Sequence, residues 1–399
     1  MEQVFIYDAI RSPRARAKET GGLHALTPLD LLQKMYAAIE SRSKLDLDAL
    51  GEVVLGCVTQ HGEQAGNIAK TSTLYAGWPS HLSGITVNRF CSSGLDAVNF
   101  AALKVAQGQE VLALGGGIEM MSRVAMLSDR PSTFMDIPTA IKARILMMGS
   151  GADLIASLYD VSREEVDEVA YQSQQRADRA RSQGWFSSIV PIHDEAKGVA
   201  CVEDECIRAN VTPESLASLP ASFAELGAQG VDALQLRAYP ELKEIRHVHT
   251  AGNSPAMADA ASLVLVGNKA AAAHVSSTPR ARIVAAATTG DDPLMVLSGA
   301  GAAAAKLMRQ QKLKSSDIDL FELHEAFAAS VIKFQRDLDI ADDKLNVNGG
   351  VIALGHPLGA TGAIMLGTLL DEMERRGLKR GLVAASGAGG GGAAMLIER

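Results

Sequence analysis

Short apolar runs alternate with amphipathic segments along most of the chain. Continuous apolar runs, typical of strands covered on both faces of a sheet, occupy residues 3–10, 51–59, 84–88 and 110–121. Residues 27–42 open on a Thr-Pro pair and carry apolar side chains at helical spacing, and residues 91–108 also have the pattern of a helix. The alternation of strand and helix predicts an α/β layered fold.

The middle of the chain interrupts this pattern. Residues 124–248 are polar, irregular and sprinkled with methionine, and they contain one long predicted helix at residues 162–185. Ser162 and Glu165 stand at the spacing of a capping box, which predicts that this helix begins just after Ser162. We interpret the region as a loop domain inserted into an α/β unit.

The last third returns to alternation and repeats the order of the first. A glycine-rich turn and helix at residues 355–377 lead to a strand, a glycine patch and another strand at residues 381–398. Residues 91–108 and 110–121 follow the same order earlier in the chain. Two half-units related by duplication would explain this, but so would the ordinary recurrence of strand–helix–strand in α/β proteins.

Composition and charge restrict the class of partner and the compartment. The 399 residues carry a net charge of −8, which disfavours nucleic acid and anionic membrane as partners but leaves a local anion site open. No apolar run reaches the length of about 20 residues that spans a bilayer, and no signal peptide is recognisable. The four cysteines have neither paired nor metal-ligand spacing, so we expect free thiols, no metal and a cytoplasmic location.

Cys91 and His356 are the candidate reactive pair. Cys91 precedes a predicted helix, whose N-terminal N–H groups favour a thiolate, although a buried cysteine is more often an inert apolar residue. His356 lies in a glycine-rich loop, where it would either act as a base for a thiol or satisfy loop hydrogen bonds. We interpret Cys57 as an inert buried residue, and Cys201 and Cys206 as inert residues too.

The terminal glycine patch offers backbone N–H groups to an oxyanion or a phosphate. It is not a dinucleotide site, because a strand-like segment and no helix follows it, and no Lys-Ser/Thr pair completes a P-loop.

Five motifs in order resemble the thiolase family nearly end to end. They are VNRFCSSGLDAV, GGGIEMMSRVAM, ELHEAFAAS, NVNGGVIALGHPLGATGA and ASGAGGGGAAMLIE. The resemblance implies a thiolase fold, with two βαβαβαββ halves in five α/β/α/β/α layers. It places the N-terminal half at residues 1–273, with the loop domain at about 124–248, and the C-terminal half at residues 274–399.

The resemblance also assigns roles to residues. Cys91 would be the acylated nucleophile and His356 its base, while the backbone N–H groups of Cys91 and Ala388 would form one oxyanion hole. His324, in the HEAF variant typical of the thiolase subunit of the fatty-acid oxidation complex, would hold a water of the second hole or serve as a structural histidine. Ser386 stands where the family usually has a second cysteine that serves as acid and base, and a hydroxyl is a poor proton carrier.

Coenzyme A contacts are expected at Arg208, Ser254, Gly355 and Gly387, whereas Pro255 replaces a usual serine and removes a donor. Coenzyme A would be a substrate, with no permanently bound cofactor. The expected partners are an acyl-CoA, a second copy in a homodimer or homotetramer and a multienzyme α-subunit, with no nucleic acid and no membrane span.

Three functions follow from this resemblance. The first is thiolytic cleavage of 3-ketoacyl-CoA, or the reverse condensation, through an acyl-Cys91 intermediate. The second is an acetoacetyl-CoA-forming biosynthetic thiolase. The third is a weakly active CoA-binding scaffold subunit, which Ser386 favours and the intact Cys91 and His356 oppose. A decarboxylating ketoacyl synthase is set aside, because its second histidine loop is absent.

Overall fold

The computed structural model describes residues 2–399, which form twelve strands. They are β1 Val4–Arg11, β2 Ala15–Arg16, β3 Leu50–Gly56, β4 Ser83–Val87, β5 Leu112–Met120, β6 Ile192–Asp194, β7 Val199–Cys201, β8 Ala258–Gly267, β9 Ala281–Gly290, β10 Leu320–Leu323, β11 Arg380–Ser386 and β12 Gly391–Glu398.

Fourteen α-helices separate or flank these strands in residues 2–399. They are α1 Pro28–Ser43, α2 Ile68–Tyr75, α3 Ser93–Ala106, α4 Ser132–Met135, α5 Ile137–Ala143, α6 Met148–Leu158, α7 Arg163–Ser182, α8 Pro213–Ala217, α9 Ala224–Leu226, α10 Asp232–Ala238, α11 Gly299–Gln311, α12 Ala328–Leu338, α13 Val351–Leu354 and α14 Leu358–Arg376. Among the described residues, none of these helices is long and apolar enough to cross a membrane.

Two half-sheets of the same topology make up the main sheet. Its order is β10-β11-β12-β9-β1-β8-β5-β3-β4, and β1 joins β9 over only three residue pairs. In the first half β3 and β5 are parallel, while β8 is antiparallel to both β5 and β1. In the second half β10 and β11 are parallel, while β12 is antiparallel to both β11 and β9. The repeated order agrees with two similar half-units.

The predicted α/β/α/β/α layering is confirmed by the composition of the cores. One core packs α1 and α2 on the outer face of the first half-sheet. A central core packs α3 and α14 between the two half-sheets, and another packs α11 and α12 on the outer face of the second. Helices therefore cover both faces of each half-sheet, which explains why its strands have continuous apolar sequences.

Local sequence signals fix the ends of two helices as predicted. Thr27 caps α1 by accepting a hydrogen bond from the N–H of Asp30, and Pro28 occupies the first helical position. Ser162 and Glu165 form the predicted capping box of α7. Each of these caps accepts hydrogen bonds from N–H groups that a helix start would otherwise leave without acceptors.

The apolar segment at residues 345–349 forms no strand. Leu345 makes only an isolated parallel bridge to Phe321, in the position that β4 occupies beside β3 in the first half. Residues 346–349 instead turn, with Asn346 and Gly349 at positive φ. The carboxamide of Asn346 bonds the backbone N–H and C=O of Leu323, so a side chain replaces part of the strand ladder.

The region between β5 and β8 is more helical than the sequence pattern suggests. It contains α4 to α10 and a two-stranded sheet of β6 and β7. Its own apolar core, built mainly on α6 and α7, also packs against α12. Several of these helices span fewer than eight residues, too short for apolar periodicity to reveal them.

Candidate active site

Cys91 lies in the tight turn between β4 and α3. Phe90, just before it, has φ of 50°, a left-handed conformation that is strained for a bulky residue. The side chain of Asn88 accepts the N–H of Phe90 at 2.8 Å, and the hydroxyl of Ser93 accepts the N–H of Arg89 at 2.8 Å. These bonds hold the turn, which presents the Cys91 thiol at the first turn of α3.

The thiol of Cys91 is protonated in its resting environment. Burial and the nearby carboxylate of Glu119 raise the pKa of Cys91 to about 12. A hydrogen bond from the backbone N–H of Cys91 to its own sulfur acts in the opposite direction. Burial therefore opposes the stabilisation of the thiolate that is expected from the helix start. Removal of the sulfur from water outweighs the helix dipole, whose effect is only about 0.3–2 kcal/mol.

His356 follows Gly355, whose φ of 98° suits glycine, at the entry to α14. Its backbone N–H donates to the carbonyl of Ala256 at 2.7 Å, and its Nδ1 is 2.7 Å from the hydroxyl of Thr361. Burial lowers the pKa of His356 well below its usual range, and His324 and Arg14 lower it further. The imidazole is therefore neutral at neutral pH and able to accept a proton.

The starts of α3 and α14 bring the Cys91 turn and the His356 loop together. A Cβ on Gly94 would lie 2.7 Å from the carbonyl oxygen of Gly359, so the two helices touch at glycines. Leu358, two residues after His356, packs in one small apolar cluster with Cys91 and Met121. The predicted reactive residues thus stand at two helix starts that contact each other.

His324 stacks beside His356, with ring centroids 4.4 Å apart. Burial lowers its pKa to about 4, and neither ring nitrogen has a protein hydrogen-bond partner among residues 2–399. A capping role at α12 falls to another histidine, because Nε2 of His249 accepts the N–H of Ala329 at 3.3 Å. The backbone of Ser386 interacts with the ring, and His324 can still offer a nitrogen to a water or a substrate oxygen.

The glycine patch packs directly against the Cys91 turn. A Cβ on Gly387 would lie 2.7 Å from the carbonyl oxygen of Arg89, so no side chain fits there. Ala388 and Cys91 line the same cavity, of about 210 Å³, together with apolar side chains of residues 126–148. The two backbone groups predicted to form an oxyanion hole thus border one space.

Glu119 is a site residue that the sequence reasoning missed. Its buried carboxylate accepts the N–H groups of Val58 at 2.9 Å, Thr59 at 3.1 Å and Gly359 at 2.9 Å. It therefore ties the ends of β3 and β5 to the start of α14. A charged residue within the buried apolar run at 110–121 was the available signal, because such a residue needs several buried partners.

Ser386 is not brought to the Cys91 cavity. Its hydroxyl donates to the carbonyl of Leu297 at 2.6 Å and accepts the N–H of Ala300 at 3.0 Å. Alternate residues Leu382 and Ala384 on β11 belong to the core under α11, so position 386 faces that helix as well. The hydroxyl satisfies two backbone groups at the start of α11, and its predicted acid and base role stays a prediction.

A second cavity, of about 430 Å³, adjoins the His356 loop. Arg208 lines it as predicted for a coenzyme A contact, and Arg16 and Lys18, which the sequence reasoning missed, add two more cations. Ala17 lines this cavity and also packs against the cluster that contains Cys91. Ala17 thus connects the wall of this cavity, which also includes Glu205, to the apolar cluster of Cys91.

The remaining predicted contacts have structural bonds. Ser254 donates its hydroxyl to the carbonyl of Thr250 at 2.6 Å, and the carbonyl of Gly355 accepts Nη1 of Arg14 at 3.0 Å. All four cysteines are free and buried, and Cys206, predicted to be inert, lines the cationic cavity. Residues 2–399 contain no cluster of His, Cys, Asp and Glu that could hold a metal ion.

Comparison with known proteins gives one consistent result. The model of the thiolase N-terminal domain matches residues 4–236, and that of the thiolase C-terminal domain matches residues 277–399. Over 100% of this chain and 99–100% of theirs, three relatives are 35–37% identical. They are a beta-ketoadipyl-CoA thiolase of Pseudomonas aeruginosa, a 3-oxoadipyl-CoA/3-oxo-5,6-dehydrosuberyl-CoA thiolase of Escherichia coli and a 3-ketoacyl-CoA thiolase of Serratia proteamaculans.

The bonds of Ser386 predict a structural role that can be measured. Ser386→Ala leaves the buried carbonyl of Leu297 and N–H of Ala300 without a partner, which we expect to cost about 1–3 kcal/mol of unfolding free energy. Ser298→Ala is the matched control at the same helix start, because its buried hydroxyl has no partner. Chemical denaturation of both variants checks this, and equal stabilities would contradict it.

Proposed function

Because this chain belongs to the thiolase family of acyltransferases, we propose that it cleaves 3-ketoacyl-CoA by thiolysis through an acyl-thioester on Cys91. The observation that carries the proposal is the contact of the α3 and α14 starts at Gly94 and Gly359. That contact sets a buried thiol and a neutral imidazole at adjoining helix ends. Coenzyme A acts as a substrate of thiolases, and the cationic cavity supplies a place for its phosphates.

The protonation states of the site favour a neutral starting pair. His356 accepts the proton of Cys91 as the sulfur attacks C3 of the substrate, so the thiolate forms only when the bond to carbon forms. The C2–C3 bond then breaks, and acetyl-CoA leaves as an enolate that takes a proton at C2. Coenzyme A finally attacks the acyl-thioester and transfers its thiol proton to His356, which passes it to the sulfur of Cys91 as the bond to the acyl group breaks and the shortened acyl-CoA leaves.

Two sets of donors border the developing negative charges. Cys91 and Ala388 line the cavity where we expect their backbone N–H groups to bind the acyl oxygen, and His324, beside His356, is expected to lie near the enolate oxygen. The proton that His356 takes from Cys91 is available to the enolate. The two hydrogen bonds of Ser386 at α11 favour this route over proton transfer by its hydroxyl.

Acylation of Cys91 is the direct test of the proposed function. Incubation with acetyl-CoA, followed by intact mass measurement, should show the addition of one acetyl group to the wild-type protein. The mass of the acetyl group should be absent from Cys91→Ala and present in Cys57→Ala, a control that removes another buried thiol. A wild-type protein that takes no acetyl group would favour the CoA-binding scaffold instead.

The lining of the Cys91 cavity supports an apolar acyl group. Its side chains include Phe90, Met126, Phe134 and Met148, and it contains no lysine or arginine. The one charged group on its wall is the carboxylate of Asp129, which would repel a terminal carboxylate. About 210 Å³ equals roughly seven water volumes of about 30 Å³, space for a medium-length alkyl chain.

This lining predicts a substrate preference that differs from the names of several relatives. Thiolysis of 3-oxooctanoyl-CoA should exceed that of 3-oxoadipyl-CoA by about tenfold or more in kcat/KM, since one repelled or unpaired carboxylate costs more than about 1.4 kcal/mol. Asp129→Asn should reduce this ratio of kcat/KM values, because it should raise kcat/KM only for 3-oxoadipyl-CoA, which carries the terminal carboxylate. A preference for 3-oxoadipyl-CoA would contradict the proposal, and a preference for acetoacetyl-CoA would favour the biosynthetic alternative.

We also propose that two copies associate through the β4 edge. β4 pairs only with β3, and Ile85 on this strand is 45% exposed beside Phe100 and Leu103 of α3, at 41% and 44%. An apolar edge strand is a template for pairing with a second copy. Association with a multienzyme α-subunit stays a prediction.

Disruption of that edge should yield monomers. Ile85→Lys places a buried charge in the proposed interface, and light scattering should then report one chain where the wild type shows two or four. Ile137→Lys is the control, because Ile137 is 74% exposed in the loop domain, outside this edge. Unchanged association in Ile85→Lys would rule out this surface.

A further inference from the structure

Arg14 is a buried cation beside the His356 loop that no prediction from the sequence singled out. It is only 2% exposed, and its Nη1 donates to the carbonyl of Gly355 at 3.0 Å, the residue immediately before His356. Gly355 has φ of 98° and packs closely on Ala258 and Cys206. The guanidinium therefore holds the peptide whose unusual conformation aims the imidazole.

The guanidinium of Arg14 makes no ion pair with a carboxylate among residues 2–399. Asp204 accepts the backbone N–H of Arg14, but both of its oxygens bind the guanidinium of Arg11 at 2.7 and 2.8 Å. Glu322 is the other acid near Arg14, but burial raises its pKa well above the usual range, with Glu325 adding to the effect, which favours the uncharged acid. The Nε of Arg14 is buried without a protein partner among residues 2–399.

We propose that Arg14 is a positioning residue for His356, fixing the Gly355 peptide next to it and adding a positive charge that opposes protonation of the imidazole. This rests on the proposed function, in which His356 must start neutral to accept the thiol proton. A buried cation near an imidazole disfavours a second positive charge there, and the low dielectric of the site strengthens that effect. Arg14 itself stays charged at neutral pH, since burial and Arg11 lower its pKa only to about 10.

Other groups near His356 act in the same direction or carry no charge. Burial and His324, at the end of β10, also lower the pKa of His356, whereas Thr361 of α14 forms a hydrogen bond to Nδ1 without carrying charge. Burial raises the pKa of Cys206 to about 11, so this neighbour of Gly355 is an uncharged thiol. The remaining acids around the cluster, Asp204 and Glu322, raise the pKa of Arg14 and so help to keep it charged.

The test measures the imidazole directly and the reaction separately. Histidine NMR titration of the wild type, assigned with His356→Asn, should show His356 titrating well below its ordinary value of about 6.5. In Arg14→Met the titration should move upward by about one unit or more, and in Arg14→Lys it should stay close to wild type. These measurements do not require that the protein be an active thiolase.

The pH profile of Cys91 acetylation supplies the second readout. Loss of the cation raises the pKa of His356, so more of the base is protonated at low pH. Arg14→Met should therefore move the acid limb of the rate profile to higher pH by the same amount as the titration, and it should lose less than about threefold in rate near pH 8.5. Arg14→Lys should keep the wild-type profile at both values.

Three outcomes would overturn the proposal. An ordinary pKa for His356 in the wild type would do so, even if Arg14→Met failed to fold. An unchanged titration in a folded Arg14→Met would show that the cation does not act on the imidazole. An equal loss of rate at every pH would assign Arg14 a purely structural role. Absence of acetylation in the wild type, by contrast, would count against the proposed function and leave the titration to decide the role of Arg14.

Discussion

The site depends on how closely α3 and α14 approach each other where they begin. Gly94 and Gly359 meet without room for a Cβ, and a Cβ on Gly359 would also lie 2.7 Å from the Cα of Cys57. One helix starts two residues after Cys91, and the other starts two residues after His356. A single packing contact between the half-folds therefore sets both reactive side chains, and the loops that carry them have little freedom to separate.

Burial then determines the protonation states of the side chains that this helix contact brings together. The same exclusion of water that raises the pKa of Cys91 lowers the pKa values of His324 and His356, so all three groups rest in neutral forms. A charge-separated thiolate–imidazolium pair would be costly in such a site without partners. Proton transfer that accompanies attack avoids that cost, and it requires an imidazole that is neutral before substrate binds.

Much of the fold followed from the sequence because its signals are local and repeated. Apolar runs located the strands, and the capping residues at Thr27 and Ser162 located two helix starts. The second half lacks a full counterpart of β4 at Leu345, where a carboxamide from Asn346 takes over the hydrogen bonding of a strand. Such side-chain substitution for backbone pairing has no periodicity, so it leaves no mark in the hydrophobic pattern.

The site was less accessible from sequence, because its electrostatics come from residues that are far apart in the chain. Cys91 and His356 were recognisable as a pair, but the state of the thiol depended on its burial and on Glu119, neither of which motif spacing reveals. Arg14 and Glu119 lie in segments that show only strand and turn character. Their roles emerged only when topology placed them against Gly355 and Gly359.

The register of β11 explains how a serine is accommodated where a second thiol is usual. Leu382 and Ala384 face the core under α11, while Val383 and Ala385 face the central core, so the alternation of the strand directs position 386 toward α11. A hydroxyl fits there because the start of α11 offers one carbonyl and one N–H, and both are used. A side chain so committed is stable as a cap, and its one hydroxyl proton is already donated to the carbonyl of Leu297. Under the proposed function, proton transfer then falls to the adjacent histidines, His324 and His356, whose ring centroids are 4.4 Å apart.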